Sequence, residues 1–470
     1  MFRRKWSALP ADPSFPSDLK GLGYFINKDD EVRSIENEDN YFKFFLNRNP
    51  RVCERQRFAM NQAIQDEIHK RLIDLGLRKV SLPLPIGEGT PPLANVPIFV
   101  STAIQEKSRV VIIFGETHQD LGVLAHRVLG KTGGINKGSL VSVVKALLQQ
   151  QCSPLDPAPP GIILANMGEL IWWPQGKRTL SKYSFDAAPM RSAAHIGNYI
   201  DPEVNRVPGH ESPIAHVKSI FETVIPTLVG AHAGLDIIGL GDGADVVESY
   251  LNSSATWNRV GSRINCFASV GGQFPAWEVK CEGLQELLLD VSLHCSSHFH
   301  PCSHILSLQA LPFPTSSTAV SANQSSQRSR AYVPSNEPLG SVLSGPSGNP
   351  HTTTFTRIGC PIFSAGEPQH VETLFIASYP TVLDWLQEVA DTSASGKVYK
   401  NPIFSSVYSD APDESSWGSG EEEETDGSKG GNQTSADVAT PQVITRDGVV
   451  NIDGIAQDEP TQDTTEIAQK

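Results

Sequence analysis

One stretch limits what this chain can fold into more than any other. Leu235-Asp236-Ile237-Ile238 runs into Gly239-Leu240-Gly241-Asp242-Gly243-Ala244-Asp245, and Val246, Val247, Tyr250 and Leu251 then recur at helical spacing. An apolar run, a glycine cluster and a 3.6-residue period read as buried strand, sharp turn and helix. This is the shape of a nucleophile elbow, G-x-S-x-G, whose outer glycines let strand and helix pass closely while the strained central residue points into an active site. Aligned on Gly239 and Gly243, the central position holds Gly241. The elbow's frame is present and its nucleophile is not.

Gly239, Gly241 and Ala244 also satisfy the dinucleotide fingerprint G-x-G-x-x-G/A, but this match is weaker. A nicotinamide site wants an acidic residue about 20 residues on, at the end of the next strand. The next strand-like run, 263–270, ends instead in Gly271-Gly272-Gln273. A plain structural turn is the third reading.

The surrounding segments supply an α/β frame. Arg109–Gly115 is a continuous apolar run of the kind buried on both faces of a sheet. A helix at 139–151, a strand at 161–166 and an amphipathic helix at 211–229 follow before the elbow. Strands alternating with helices imply a parallel sheet between helical layers. The expected fold is α/β, a three-layer α/β/α sandwich with a mostly parallel, α/β-hydrolase-like sheet. Ahead of it stand a hairpin turning on Asn27-Lys28-Asp29-Asp30, a helix over 51–76 and short strands at 77–84 and 96–101. Met167–Trp173 and the polar stretch that follows to Pro213 form an insertion long enough for a lid or partner surface. Trp172 and Trp173 within it are ordinary core residues by type, although Lys177 and Arg178 beside them also suit an aromatic–basic contact patch.

If this were a hydrolase, the loop after the 109–115 strand would help to form an oxyanion hole. It reads Gly115-Glu116-Thr117-His118-Gln119-Asp120-Leu121-Gly122. Glu116 and Asp120 bring the wrong charge to a place where negative charge would develop. His118 is a candidate base or ligand, and equally a solvated loop residue. Glu337 sits where the acid of a triad would fall and His370 where its base would, yet without a hydroxyl or thiol at Gly241 neither has a nucleophile to activate. Asp242 lies one position past the apex and reads as a turn residue or helix cap.

Composition bounds the remaining options. The formal net charge is −14, concentrated partly around Glu421–Glu424, so the chain is not itself a nucleic-acid surface. Seven cysteines without C-x-x-C pairing suit a reducing compartment. The basic start Met1–Lys5 has no apolar core behind it, and no run reaches the ~18 apolar residues of a membrane span. The expected location is the nucleus, or else the cytoplasm. His and Cys residues between 294 and 304 suggest zinc but lack a C-x2–4-C plus H-x3–5-H layout. Residues 291–327 are expected to be a disordered insertion or a retained intron, 341–356 a flexible loop, and 396–470 a disordered acidic tail. Neither a metal nor a cofactor is expected.

Several pieces taken in order resemble the argonaute-binding protein 2 (Arb2) domain, a fungal family. They are Ala8-Leu9-Pro10, Asp18-Leu19-Lys20-Gly21-Leu22-Gly23-Tyr24-Phe25, Phe114-Gly115-Glu116, Gly161–Asn166, Gly239–Ala244, and Arg328–Tyr332 with Glu337-Pro338-Leu339-Gly340. The resemblance spans residues 8–392. It implies an α/β-hydrolase-like fold without a complete triad. The family's namesake is a subunit of an Argonaute small-RNA chaperone complex acting in heterochromatin silencing, and related domains follow the catalytic domain of class II histone deacetylases. No deacetylase domain is read in these 470 residues, so the first role is expected to carry over. The expected protein is a pseudoenzyme, a non-catalytic protein-interaction module in Argonaute-associated RNA silencing. An active esterase-like hydrolase with a non-standard nucleophile is the alternative.

Overall fold

The computed structural model describes residues 8–85, 93–194, 197–288, 327–345, 358, 360–397, 399 and 401. The hairpin pairs β1 (Tyr24–Ile26) with β2 (Val32–Ser34) in antiparallel register. Its turn is held by Asn27, whose Oδ1 accepts from the Asp29 and Glu31 amides at 3.0 and 2.9 Å. Helix α1 (Pro50–Asp74) starts where Asn49 Oδ1 accepts from Arg51 N and Pro50 fills the first turn. It stops at Gly76, which has φ +90°.

A nine-stranded sheet follows, ordered β12-β13-β11-β10-β9-β5-β6-β4-β3. Its strands are β3 (Leu77–Leu82), β4 (Val96–Ser101), β5 (Arg109–Phe114), β6 (Gly161–Ala165), β9 (Gly234–Leu240), β10 (Ile264–Val270), β11 (Ser329–Val333), β12 (Val342–Ser344) and β13 (Ile362–Ser364). From β6 through β5, β9, β10 and β11 to β13 every pairing is parallel, and antiparallel pairing is confined to the margins, β3 with β4, β4 with β6 and β12 with β13.

The sheet separates two apolar cores because strand side chains alternate faces. Val111 and Ile113 of β5 pack with Ile64, Ile68 and Leu72 of α1, with α3 (Leu140–Leu147), and with Trp385 and Leu386 of the last helix α10 (Leu374–Ala394). Val110, Ile112 and Phe114 face α5 (Pro213–Ser219), α6 (Ile225–Leu228), α7 (Asp242–Leu251) and α9 (Glu282–Leu288). A π turn, Ile220–Val224, joins α5 to α6 just before Pro226, which has no N–H to give to the preceding turn. This is the three-layer α/β-hydrolase-like sandwich expected from the sequence. Short elements α2 (Gly134–Lys137) and α8 (Ser254–Val260) complete the framework. The 167–213 insertion holds the hairpin of β7 (Ile171–Trp173) and β8 (Arg178–Leu180) and helix α4 (Lys182–Ala187).

Two segments differ from the sequence reading, while the Trp172–Trp173 pair takes its core reading. Trp172 is core, buried with Val96, Leu170 and Val207. Trp173 packs edge-on to Phe58 at 5.8 Å, with the Arg178 guanidinium 6.0 Å from its ring, so the aromatic–basic pair is internal packing rather than a contact patch. The start of the expected loop at 341–356 is β12, fixed to β13 by sheet hydrogen bonding, and residues 346–357 lie outside the described residues. The domain also continues past 392: Tyr399 is 2% exposed and its hydroxyl accepts from buried Arg330 Nη2 at 2.9 Å. The expected insertion falls outside the described residues except for Gln327, and so does the acidic tail from 402 onward.

Candidate functional site: a glycine elbow under a carboxylate

The elbow forms between β9 and α7, with Gly241 at its apex in the strained conformation φ 51°, ψ −133°. Each of the three glycines has its own cause. A Cβ on Gly239 would stand 2.5 Å from Ala244 Cα, and one on Gly243 only 2.0 Å from the Gly115 carbonyl oxygen. These two positions let α7 cross close over β9 and the loop after β5. Gly241 needs its positive φ, and a Cβ there would lie 2.9 Å from both Cγ and Oε1 of Glu116.

Glu116 therefore covers the place where an elbow nucleophile would emerge. Its side chain is 13% exposed. Burial is the largest influence on its carboxyl and raises its pKa; the neighbouring charges of Asp242 and Glu372 push the same way, against the Gln119 amide and His118. Gln119 Nε2 donates to it at 3.2 Å, and His118 Nε2 lies 3.3 Å away. Asp242 does not turn toward the cavity as an attacking group. Its carboxylate accepts from Thr117 N at 2.9 Å and from the Thr117 hydroxyl, which ties the loop after β5 to the first turn of α7. A backbone donor of that loop is thus already occupied. The cavity bounded by Gly115, Glu116, Gly241, Asn166 and Glu372 measures about 40 Å³. That is room for water and well below the several hundred Å³ of a typical small-molecule site.

Asp120, the second acidic residue of the loop, serves another structure. Its carboxylate accepts from Ser181 Oγ at 2.6 Å and lies 3.6 Å from His126 Nε2. Burial would raise its pKa, but the hydrogen bond and charge of His126, with the Ser181 hydroxyl, hold it below the ordinary carboxylate value. Beside it, Glu169 is 3% exposed and accepts from Leu121 N at 3.0 Å. Its pKa is pushed up to about 7, first by burial and then by the Asp120 charge. Next to this pair, His69 Nε2 meets Leu121 O at 3.1 Å, and burial with the Lys79 charge lowers its pKa to about 3, keeping the ring neutral.

A pH dependence follows from Glu169. Its folded pKa is raised above the ordinary 4.5, so between 4.5 and about 7 the unfolded chain binds fewer protons than the folded one. Its contribution to stability is then most favourable at low pH and falls as pH rises through that window. Glu169→Gln, which keeps an acceptor and cannot ionise, is expected to be more stable than wild type on the order of 1–3 kcal/mol near pH 8, with the gain gone by about pH 4. Urea denaturation at both pH values measures it, and a difference that does not change with pH rules it out.

The remaining candidates do not assemble into a triad among the described residues. His370, 37% exposed in its side chain, pairs through Nδ1 with Glu367 Oε1 at 3.3 Å. Glu337 lies half-buried after β11, and its backbone carbonyl accepts from Ser364 Oγ at 2.7 Å. Neither lines the elbow cavity; Val371 and Glu372, just after His370, do. His118 is half exposed and spans Glu116 and the more distant Asp242, 4.0 Å away. Glu372, Gln119 and Asn166 are site residues that sequence reasoning missed. For Asn166 a signal existed, since it directly ends the apolar run of β6 on the side where the elbow lies.

The Arb2 domain model matches residues 15–297, more than half of the chain. No curated relative matches it in sequence. Among solved structures it is similar to carboxylesterase CesB from Bacillus subtilis, at 10% identity over 71% of this chain and 98% of that one, with a TM-score of 0.29. It is also similar to an arylesterase, at 10% identity over 72% and 98%, with a TM-score of 0.26. Esterase LipW from Mycobacterium marinum is 11% identical over 49% of this chain and 55% of its own, with a TM-score of 0.25, so the chain spans about half of that protein's length.

Proposed function

Because the chain belongs to the Arb2 domain family, we propose that it is a non-catalytic protein-interaction module and a subunit of an Argonaute-associated small-RNA silencing complex, working at heterochromatin in the nucleus. The non-catalytic half rests on one observation, the Glu116 carboxylate lying over Gly241 at the elbow apex. Acyl transfer by an elbow needs a nucleophile at that position and donors for a developing oxyanion. Here the position has no side chain, and the space above it holds a carboxyl group. The Argonaute half rests on the family resemblance. The chain's formal charge of −14 favours contact with RNA through a protein partner rather than directly.

Affinity purification from the native cell tests the partner. Argonaute or another silencing subunit is expected in the eluate, and its absence removes that half of the proposal. Chromogenic short-chain esters test the chemistry. The pure protein is expected to hydrolyse them at the uncatalysed rate, and Gly241→Ser alone is expected to stay inactive because Glu116 crowds the new side chain and no histidine is bonded there. Robust turnover by the wild-type protein, lost in Asp242→Ala or His370→Ala, would establish the hydrolase alternative instead.

A further inference from the structure

A larger cavity, about 320 Å³, opens between β2, α1 and the segment around Leu129. It has the size of a small-molecule site. Its wall is mostly apolar, formed by Val32, Phe42, Met60, Ile64 and Leu129, with Tyr41 and Arg127 also lining it. It adjoins a polar cleft of about 190 Å³ that holds Ser181, Ser184, His118 and the Asp120 carboxylate. Three side chains line both spaces: Arg57, Asn61 and His126. They stand where an apolar chamber meets a polar one.

The three side chains are partly exposed and, among the described residues, keep donors free of protein partners at this junction. Arg57 commits Nε to Glu54 at 2.9 Å and Nη2 to Glu54 and the Tyr183 carbonyl. His126 commits Nε2 to Asp120. Among the described residues no bond engages Arg57 Nη1, the Asn61 amide or His126 Nδ1. Arg57 and Asn61 carry N–H donors, and His126 Nδ1 can carry one. Donors of this kind suit an acceptor with two oxygens, and a guanidinium matches a planar carboxylate better than a hydroxyl. The one carboxylate among the described residues lining the cleft, Asp120, already accepts from Ser181 Oγ and lies 3.6 Å from His126 Nε2, so a cationic head would meet Arg57 and a carboxylate that is already engaged.

We propose that the two spaces form one binding site for a single-chain carboxylic acid, its alkyl chain in the apolar cavity and its carboxylate at Arg57, Asn61 and His126. The site lies apart from the elbow cavity and does not depend on whether the elbow is catalytic. Decanoate, below its micelle concentration, and 1-decanol are the probes, titrated calorimetrically into the full chain. Decanoate is expected to bind one per chain and at least tenfold more tightly than decanol. In Arg57→Gln/Asn61→Leu, both half-buried positions, decanoate binding is expected to weaken at least tenfold while decanol binding stays the same. Circular dichroism and thermal unfolding show that this variant is folded; Met60→Trp, which fills the chamber, is expected to weaken both probes. Absence of saturable decanoate binding, equal affinity for decanol, or wild-type affinity in the double variant each overturns the proposal.

Discussion

Gly241→Val is expected to destabilise the domain by roughly 2–6 kcal/mol, from backbone strain of about 1–3 kcal/mol and overpacking of similar size. The backbone at this position, φ 51° and ψ −133°, is nearly closed to a branched residue. The new Cβ would also arrive 2.9 Å from the Glu116 side chain, which is confined by Gln119 and His118. Relief requires either moving Glu116 or unwinding the start of α7, whose position over β9 depends on the close approaches at Gly239 and Gly243. Thermal and urea unfolding measure the loss, and partner capture should fall with it. Unchanged stability and unchanged capture would mean that the elbow is not strained at Gly241.

Asp236→Ala is expected to cost about 3–5 kcal/mol, the usual penalty for leaving one member of a buried ion pair alone. Asp236 is fully buried within β9, and Arg109 at the start of β5 is 2% exposed. Arg109 Nε donates to Asp236 Oδ2 at 2.6 Å, and Asn265 Nδ2 donates to the other oxygen at 2.9 Å. Arg109 Nη1 reaches Gln151 O and Gln387 Oε1, both at 3.0 Å, so the pair also links the sheet to α10 and to the turn after α3. Without the carboxylate, a guanidinium remains out of water with neutral acceptors only. Arg109→Leu added to Asp236→Ala is expected to recover much of the loss, because it removes the charge that was stranded. Urea denaturation of the single and double variants decides this, and a single-variant loss below about 1 kcal/mol contradicts a buried-pair penalty.

Much of the architecture was legible because its signals are local. The unbroken apolar run of β5, the stripe on α5 and α6, and the Gly76 end of α1 are each written within a few consecutive residues. Misreadings came where a distant partner decided the outcome. Val342–Ser344 has the letters of a loop and becomes a strand because β13 offers it an edge. Tyr399 sits beside a polar tail and is buried because Arg330 takes its hydroxyl.

The candidate site divides in the same way. The sequence by itself determined the strand–turn–helix and its three glycines, since a sharp turn between an apolar run and a helical period selects residues without a side chain. Only the tertiary structure decided what became of the charged residues nearby. Glu116 lies over Gly241 while Asp120, four residues on, turns away to Ser181 and His126. Asp242 binds Thr117 across 125 residues of chain, and His370 pairs with Glu367 rather than with a nucleophile. A carboxylate's partner depends on which donors the fold brings within about 3 Å, and that distance is not encoded in spacing along the chain.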